Sequence, residues 1–280
     1  MNPLPHSSHS YLFVPGNRPE RFAKACAAGA DVVIVDLEDA VPASEKGMAR
    51  NHVAAWLTPA QPVLIRINSA ETVWFEDDLA LCRLPGVAGI VLPKAEGVDA
   101  LMRVQQAGAH QLLPLIESAQ GFAQLSAIAQ CPAVQRLLFG TIDFKLDMGI
   151  EGDAEELLYF RSQLVLTSRI AGIQAPVDGV TTALHDTALL SSETLRARRL
   201  GFGGKLCIHP AQVATVNQCF APSQQDVTWA LRILATVAAV AVDGGADGAA
   251  VAVDGNMVDR PVILKAQQIV KAAGSQSPVL

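Results

Sequence analysis

Two apolar runs near the middle of the chain each lead into a carboxylate. Residues 112–118 (LLPLIES) carry Glu117, and residues 137–143 (LLFGTID) carry Asp143. Carboxylates are hard oxygen donors. A pair of them, completed by substrate oxygens and water, suits Mg2+, which keeps much of its hydration and seldom sits in an all-protein cage. Mn2+ accepts the same oxygen donors and is the expected substitute. The competing reading makes each carboxylate the cap of the helix that follows. Placement on consecutive strands counts against it. No histidine cluster offers a rival zinc site.

Arg66 emerges from the apolar run Val63-Leu64-Ile65-Arg66-Ile67-Asn68. An arginine there must be paired, and its planar fork fits a substrate carboxylate through two parallel hydrogen bonds. A structural ion pair with Asp36 or Glu38 is the alternative, and both can hold at once. Asp36, Glu38 and Asp39 put three acids within four positions at a strand end. A solvated loop explains one of them; at least one more is expected to orient Arg66 or to hold metal-bound water. Lys94, in Leu92-Pro93-Lys94, invites comparison with a Schiff-base lysine, whose amine must be held unprotonated. With metal-type acids at hand and Glu96 close by, a structural or electrostatic role is expected instead. His209, followed by Pro210, is read as a structural or ligand-lining residue, and His52 and His185 as surface residues of helical stretches. Ser7, Ser8 and Ser10 form no nucleophile motif.

These residues need elements that deliver them to one place. Besides the two runs already named, short apolar runs occur at 11–14, 32–35, 63–65, 90–92, 173–177 and 206–208. Each meets a polar residue or loop where it stops: Pro15-Gly16-Asn17-Arg18, Asp36, Arg66, Lys94, Asp178 and His209. Helical stretches alternate with them at 18–28, 49–57, 75–81, 98–107, 119–129, 154–170 and 191–200. Repeated strand–helix units with short connections predict an α/β fold with a parallel sheet. Eight of them predict a (β/α)8 TIM barrel, whose strand ends share one mouth. An open doubly wound sheet is disfavoured because no GxGxxG follows the first strand. The glycine-rich run at 201–205 precedes a strand rather than joining strand to helix, so it is no phosphate loop. Beyond Pro222 the pattern changes to a helix at 224–242, a Gly/Ala/Val-rich stretch at 243–255 and a final helix to about residue 273. Residues 1–222 are therefore expected to form the barrel, and 223–280 a C-terminal helical and arm extension serving as oligomer contact and lid.

Composition narrows the class. Half of the 280 residues are hydrophobic and 17% are charged, enough for a large buried core. A net charge of −6 with no basic stripe argues against nucleic acid. The N-terminus lacks the basic and apolar regions of a secretory signal, and the longest apolar stretch, 233–242, is too short to span a bilayer. Five scattered cysteines without CxxC spacing read as reduced thiols, so a cytoplasmic protein with no membrane partner is expected.

Taken together, several of these segments resemble the citrate lyase β-subunit-like branch of the HpcH/HpaI aldolase superfamily, close to the malyl-CoA and citramalyl-CoA lyases. The resemblance is carried by Tyr11-Leu12-Phe13-Val14-Pro15-Gly16, Val35-Asp36-Leu37-Glu38-Asp39-Ala40-Val41 with Lys46 and Arg50, and Arg66-Ile67-Asn68. Leu92-Pro93-Lys94, Ile116-Glu117-Ser118, Phe139-Gly140-Thr141-Ile142-Asp143 and Ile208-His209-Pro210 extend it. It implies Mg2+ on Glu117 and Asp143, with Arg66 and the backbone amides of Gly140, Thr141, Ile142 and Asp143 gripping a 2-oxo acid. It also implies that Asp259, on the C-terminal segment, reaches a neighbouring subunit's site in a homotrimer or hexamer; the alternative for Asp259 is a helix cap.

The implied reaction is cleavage or formation of a 3-hydroxyacyl-CoA thioester, giving a 2-oxo acid and an acyl-CoA. Asp259, Glu38 or Asp39 would move the proton at the thioester α-carbon, and Arg18 and Lys24 would meet the CoA phosphates. The rivals are a citrate lyase β subunit acting on an acyl-carrier-protein thioester, an aldolase of free hydroxy-acids, and a silent paralogue that only binds oxo-acids. The intact set of Arg66, Glu117 and Asp143 speaks against silence.

Overall fold

The computed structural model describes residues 8–242, 251–253 and 256–274. The chain divides into two compact units, one ending at Phe220 and the other starting at Ala221. In the first, eight parallel strands close into a barrel in chain order. They are β1 (Ser10–Pro15), β2 (Val32–Asp36), β3 (Val63–Arg66), β4 (Val87–Leu92), β5 (Leu112–Ile116), β6 (Arg136–Phe139), β7 (Gln174–Asp178) and β8 (Gly204–Cys207). Pairing of β1 with both β2 and β8 completes the ring, and the fold is a (β/α)8 TIM barrel. The covering helices are α1 (Phe22–Cys26), α2 (Lys46–Trp56), α3 (Phe75–Asp78), α4 (Val98–Gln106), α5 (Ala119–Ala123) and α6 (Leu125–Gln130). After them come α7 (Thr141–Met148), α8 (Leu158–Ile170), α9 (Thr187–Leu200) and α10 (Pro210–Phe220).

Side chains alternate across a strand, and here both faces are apolar. Tyr11, Ile34, Leu64, Leu115, Leu138 and Leu206 fill the barrel interior. Leu12, Val35, Ile65 and Ile116 pack outward against the helices. One more inward step along three strands delivers chemistry: Ile34 leads to Asp36, Leu64 to Arg66 and Leu115 to Glu117. With apolar residues on both faces, hydrophobic burial alone fixes the register weakly. The pairing of Asp36 directly with Arg66 across β2 and β3 supplies the missing constraint. A one-residue slip would separate two buried opposite charges, at a cost of about 3–5 kcal/mol.

Several expected boundaries shift, each for a local reason. The last barrel strand spans Gly204–Cys207, so Lys205 lies within it and His209 beyond it. The stretch 119–129 breaks at Gln124 into α5 and α6. The helix expected from 154 starts at Leu158, because Arg161 binds both the carbonyl and the carboxylate of Asp153 and holds the intervening residues as a turn. The helix expected from 191 starts at Thr187, where Asp186 accepts the Leu189 N–H at 2.8 Å, so His185 is an exposed loop residue rather than a helical one. Helix α7 was not anticipated as a separate element.

In the second unit, α11 (Gln224–Val242) packs on α12 (Arg260–Gly274) through Trp229, Ala230, Ile233 and Ala266. An unanticipated antiparallel pair, β9 (Val251–Val253) with β10 (Asn256–Val258), precedes α12. The apolar arm expected at 243–255 falls largely on residues 243–250 and 254–255, outside the described residues, as does Ser7. Among the described residues no helix is long and apolar enough to cross a membrane. All five cysteines are free thiols.

Candidate active site

The C-terminal ends of the strands surround a cavity of about 390 Å³. Its polar wall is Asp36, Asp39, Arg66, Glu117 and Asp143, and its apolar floor includes Phe13, Leu115, Phe139 and Leu206. Gly140, Thr141 and Ile142 form the rim between the two carboxylates. The structure thus brings together Arg66, Asp39, Glu117 and the whole Gly140–Asp143 segment. Glu38 does not line the cavity; it stands behind Arg66.

Arg66 is 8% exposed and heavily engaged. Its Nε donates to Asp36 Oδ1 at 2.7 Å and its Nη2 to Asp36 Oδ2 at 2.6 Å. Nη1 lies 2.9 Å from Glu38 Oε2 and 3.2 Å from Asp39 Oδ2. The guanidinium also sits over the Phe13 ring, 4.8 Å from its centre. Burial disfavours the charged form, but Asp36, Glu38 and Asp39 outweigh it and raise the pKa further. Of its five N–H donors, two bond Asp36 and one bonds Asp39, while Glu38 meets Nη1 as an opposite charge rather than as a hydrogen-bond acceptor; the second Nη2–H is open to a ligand. Asp39 is the mostly exposed partner, so its bond is the one an incoming carboxylate can displace. Asp36 in turn accepts the N–H groups of Glu38 and Ala40, which fixes the acidic loop around the arginine.

Glu117 is 3% exposed, and its Oε1 accepts the Lys94 N–H at 2.7 Å. Burial first, and then the charges of Glu38 and Asp143, push its carboxyl up to about 8. Asp143 reaches the cavity by a different route from the expected strand end. Strand β6 stops at Phe139, the Gly140 N–H bonds Ile116 O at 2.9 Å, and the chain turns directly into α7. Asp143 therefore sits in the first turn of that helix. Neither acid is a cap: Ser118 caps α5 by accepting the Gly121 N–H at 3.1 Å, and α7 has no capping side chain. The first-turn amides of α7 have no partner within the helix and lie on the cavity rim, a natural cradle for an anion. Thr141 is buried there against Gly179, its hydroxyl without a hydrogen-bond partner among the described residues.

Glu38 is buried between two cations. Lys94 Nζ donates to its Oε1 at 3.1 Å, opposite Arg66. The partner of Lys94 is therefore Glu38 and not Glu96, whose carboxylate is taken by the Ser118 hydroxyl at 2.6 Å. Burial lowers the Lys94 pKa, but Glu38, Glu117 and Asp39 outweigh it and leave it raised, the opposite of a Schiff-base lysine. In the sequence Lys46 stands out only as part of a motif. It is buried, donates to the carbonyls of Leu37 and Glu38 at 2.7 Å each, and lies over the Trp74 ring. Asp78 has no signal in the sequence at all. It binds Asn68 through both backbone and side chain and holds Arg50, anchoring the chain just past Arg66. No spacing signal links residues 68 and 78; only the folded chain brings them together.

Other expected residues lie apart. Arg18 pairs with Glu20 at 2.8 Å on the surface, and Lys24 is exposed on α1; neither lines the cavity. His209 is exposed. In the second unit, Asp259 caps α12, accepting the Val262 N–H at 3.3 Å. Among the described residues no group of three or more His, Cys, Asp or Glu side chains is placed to hold a metal ion; of the four wall carboxylates Asp36 and Asp39 pair with Arg66, so the candidate donors are Glu117 and Asp143.

Residues 9–210 match the HpcH/HpaI aldolase/citrate lyase family. A citrate lyase subunit beta-like protein of Deinococcus radiodurans is 37% identical over 96% of this chain and 98% of its own length. An L-malyl-CoA/beta-methylmalyl-CoA lyase of Cereibacter sphaeroides is 33% identical over 94% of this chain and 93% of that enzyme. The crystal structure of protein CitE from Mycobacterium tuberculosis, in complex with magnesium, acetoacetate and coenzyme A, superposes with a TM-score of 0.83. It is 32% identical and covers 96% of this chain and 100% of that one.

Proposed function

Since the chain belongs to the HpcH/HpaI aldolase/citrate lyase family and is a carbon–carbon lyase, we propose that it cleaves or forms a 3-hydroxyacyl-CoA thioester, with a 2-oxo acid and an acyl-CoA as the other side of the reaction. The observation that carries this reading is the barrel-mouth cavity, in which Arg66 stands among the buried acids Asp36 and Glu117 and the half-buried Asp143. Its volume of about 390 Å³ suits a small oxo-acid, leaving a long thioester to run outward over the rim.

Glu117 and Asp143 would hold Mg2+, the ion present in the CitE complex. The donor set fits: two oxygen ligands from neighbouring βα units, one of them so buried that it stays ionised at neutral pH only with a cation beside it. When bound, the ion supplies Lewis acidity toward the oxo-acid oxygens. Arg66 neutralises the carboxylate of the oxo acid through its remaining Nη2–H and the donor that Asp39 gives up. The α7 amides and the Thr141 hydroxyl orient the same carboxylate from the other side. A carboxylate carries the proton at the thioester α-carbon. Asp39, on the wall, is the local candidate, and Asp259, delivered from a neighbouring subunit of a trimer or hexamer, is the other. Arg18 and Lys24 are the candidates for the CoA phosphates.

The test is a panel of malyl-, methylmalyl-, citramalyl- and citryl-CoA with Mg2+, assayed for oxo-acid release, alongside a citryl thioester on an acyl-carrier protein. Release from a CoA thioester that stops in EDTA is expected. Turnover of the carrier-protein thioester alone would move the protein to the citrate lyase β role, and turnover of free hydroxy-acids alone would remove CoA from the reaction.

A further inference from the structure

We infer that Lys94 is a positioning residue serving both halves of the site, its backbone N–H setting Glu117 and its ammonium sharing Glu38 with Arg66. The inference rests on the proposed reading of Glu117 as a cation ligand and Arg66 as the oxo-acid clamp. Its starting point is a backbone anomaly. Lys94 has φ +46°, and among the described residues the only other non-glycine residue at positive φ is Ala133. Side chains crowd the backbone in this left-handed region, so a lysine stays there only when its surroundings over-determine it.

Those surroundings are identifiable. Strand β4 ends at Leu92 and the Lys94 N–H donates to Glu117 Oε1 at 2.7 Å; the left-handed turn at Lys94 redirects the chain that follows, so that this amide and the next can both be bonded. The next amide, Ala95, returns to Leu115 O at 3.3 Å. With Oε1 taken by a main-chain donor, Glu117 keeps its other oxygen on the Gly140 side, where the cavity lies. The same residue's side chain turns to Glu38, 3.1 Å away. Glu38 is 6% exposed and has Arg66 Nη1 at 2.9 Å on its other oxygen. Without the lysine, that buried carboxylate would have Arg66 for its cation and would bind it more tightly, in competition with the substrate carboxylate.

Backbone and side-chain roles separate cleanly by substitution of the full chain. Lys94→Gly removes the ammonium but accepts positive φ without strain. Lys94→Val removes the ammonium and resists positive φ, because a β-branched residue is a genuine outlier there. Lys94→Arg keeps a cation within reach of Glu38. Mn2+ binding, measured by calorimetry, should stay within about twofold of the parent in the glycine variant and weaken by about tenfold or more in the valine variant. Pyruvate binding to the Mn2+-loaded protein should weaken by about fivefold in the glycine variant and recover in the arginine variant.

Equal Mn2+ affinity in the glycine and valine variants would overturn the backbone half. Parent-like pyruvate affinity in the glycine variant would overturn the ammonium half. If the valine variant does not fold, Lys94→Ala takes its place, with a smaller but measurable Mn2+ deficit relative to glycine expected. No Mn2+ binding by the parent would sink the metal reading of Glu117, and the backbone half with it, which distinguishes that failure from the others.

Discussion

Glu117 packs against the bare α-carbon of Gly140: a β-carbon built there would lie 2.6 Å from both Cβ and Oε2 of Glu117. Because the clash reaches the root of the glutamate side chain, a simple rotation of its tip does not relieve it. Gly140→Ala is therefore expected to displace Glu117 while the barrel still folds. Mg2+ affinity and turnover should fall by about 10–100-fold, with a melting temperature close to the parent's. An alanine variant with parent-like Mg2+ affinity would show that Glu117 is not held where the cation binds.

The Glu117 carboxyl also links the cation to stability. Its ordinary value is near 4.5, and burial, followed by the charges of Glu38 and Asp143, pushes it up to about 8 in the folded protein. Between those two values the metal-free folded state holds a proton that the unfolded chain has lost. Stability from this group is therefore present at low pH and declines as pH rises toward 8. Glu117→Gln removes the penalty, so in EDTA at pH 8 it should melt a few degrees above the parent. Adding Mg2+ should raise the parent's melting temperature and leave that of the variant nearly unchanged. Thermal melts at pH 5 and pH 8, with and without Mg2+, check both signs.

Arg66 and Asp36 divide function from folding. Arg66→Lys keeps a charge but cannot hold both oxygens of Asp36 while presenting a further N–H to the substrate. Turnover should fall by about 100-fold, with a larger loss for short oxo-acids than for a CoA thioester bound through additional contacts. Asp36→Asn instead leaves a buried arginine short of its main partner, and destabilisation of about 3–5 kcal/mol is expected. Urea unfolding and steady-state kinetics of the two variants should rank them in opposite orders.

Sharing of the active site between subunits is tested by mixing chains. If Asp259 acts in a neighbour's barrel, Asp259→Ala and Glu117→Ala chains, each inactive alone, should regain part of the activity when co-expressed, because some hybrid sites hold both acids. Verified mixed oligomers without recovery would return the proton-transfer role to Asp39 or Glu38.

The parts of this site that could be read in the sequence are those governed by strand alternation. Asp36, Arg66 and Glu117 stand one inward step beyond Ile34, Leu64 and Leu115, and an apolar run ending in a charge shows as much without coordinates. Asp143 was visible as a carboxylate but not as a helical one, because the turn at Gly140 is set by its N–H bonding to Ile116 of the neighbouring strand. The Lys94–Glu38 pair spans 56 positions and Asn68–Asp78 joins a strand end to a separate helix. Neither follows any local period. Glu96 is the nearer acid in sequence, yet its carboxylate accepts the Ser118 hydroxyl while the Lys94 ammonium donates to Glu38.

The charge around the barrel mouth also determines who enters first. Asp36, Glu38, Asp39, Glu117 and Asp143 crowd a space that holds Arg66 and Lys94 as its cations. A 2-oxo acid is itself an anion, and in a cavity with low-dielectric walls like charges repel over its whole width. A mouth of this charge favours a divalent ion over a free anion, and an ion held by Glu117 and Asp143 would shift the balance toward the oxo acid. The expected consequence is an order of arrival, metal before oxo acid, which would show as oxo-acid affinity that is far weaker in EDTA than with Mg2+.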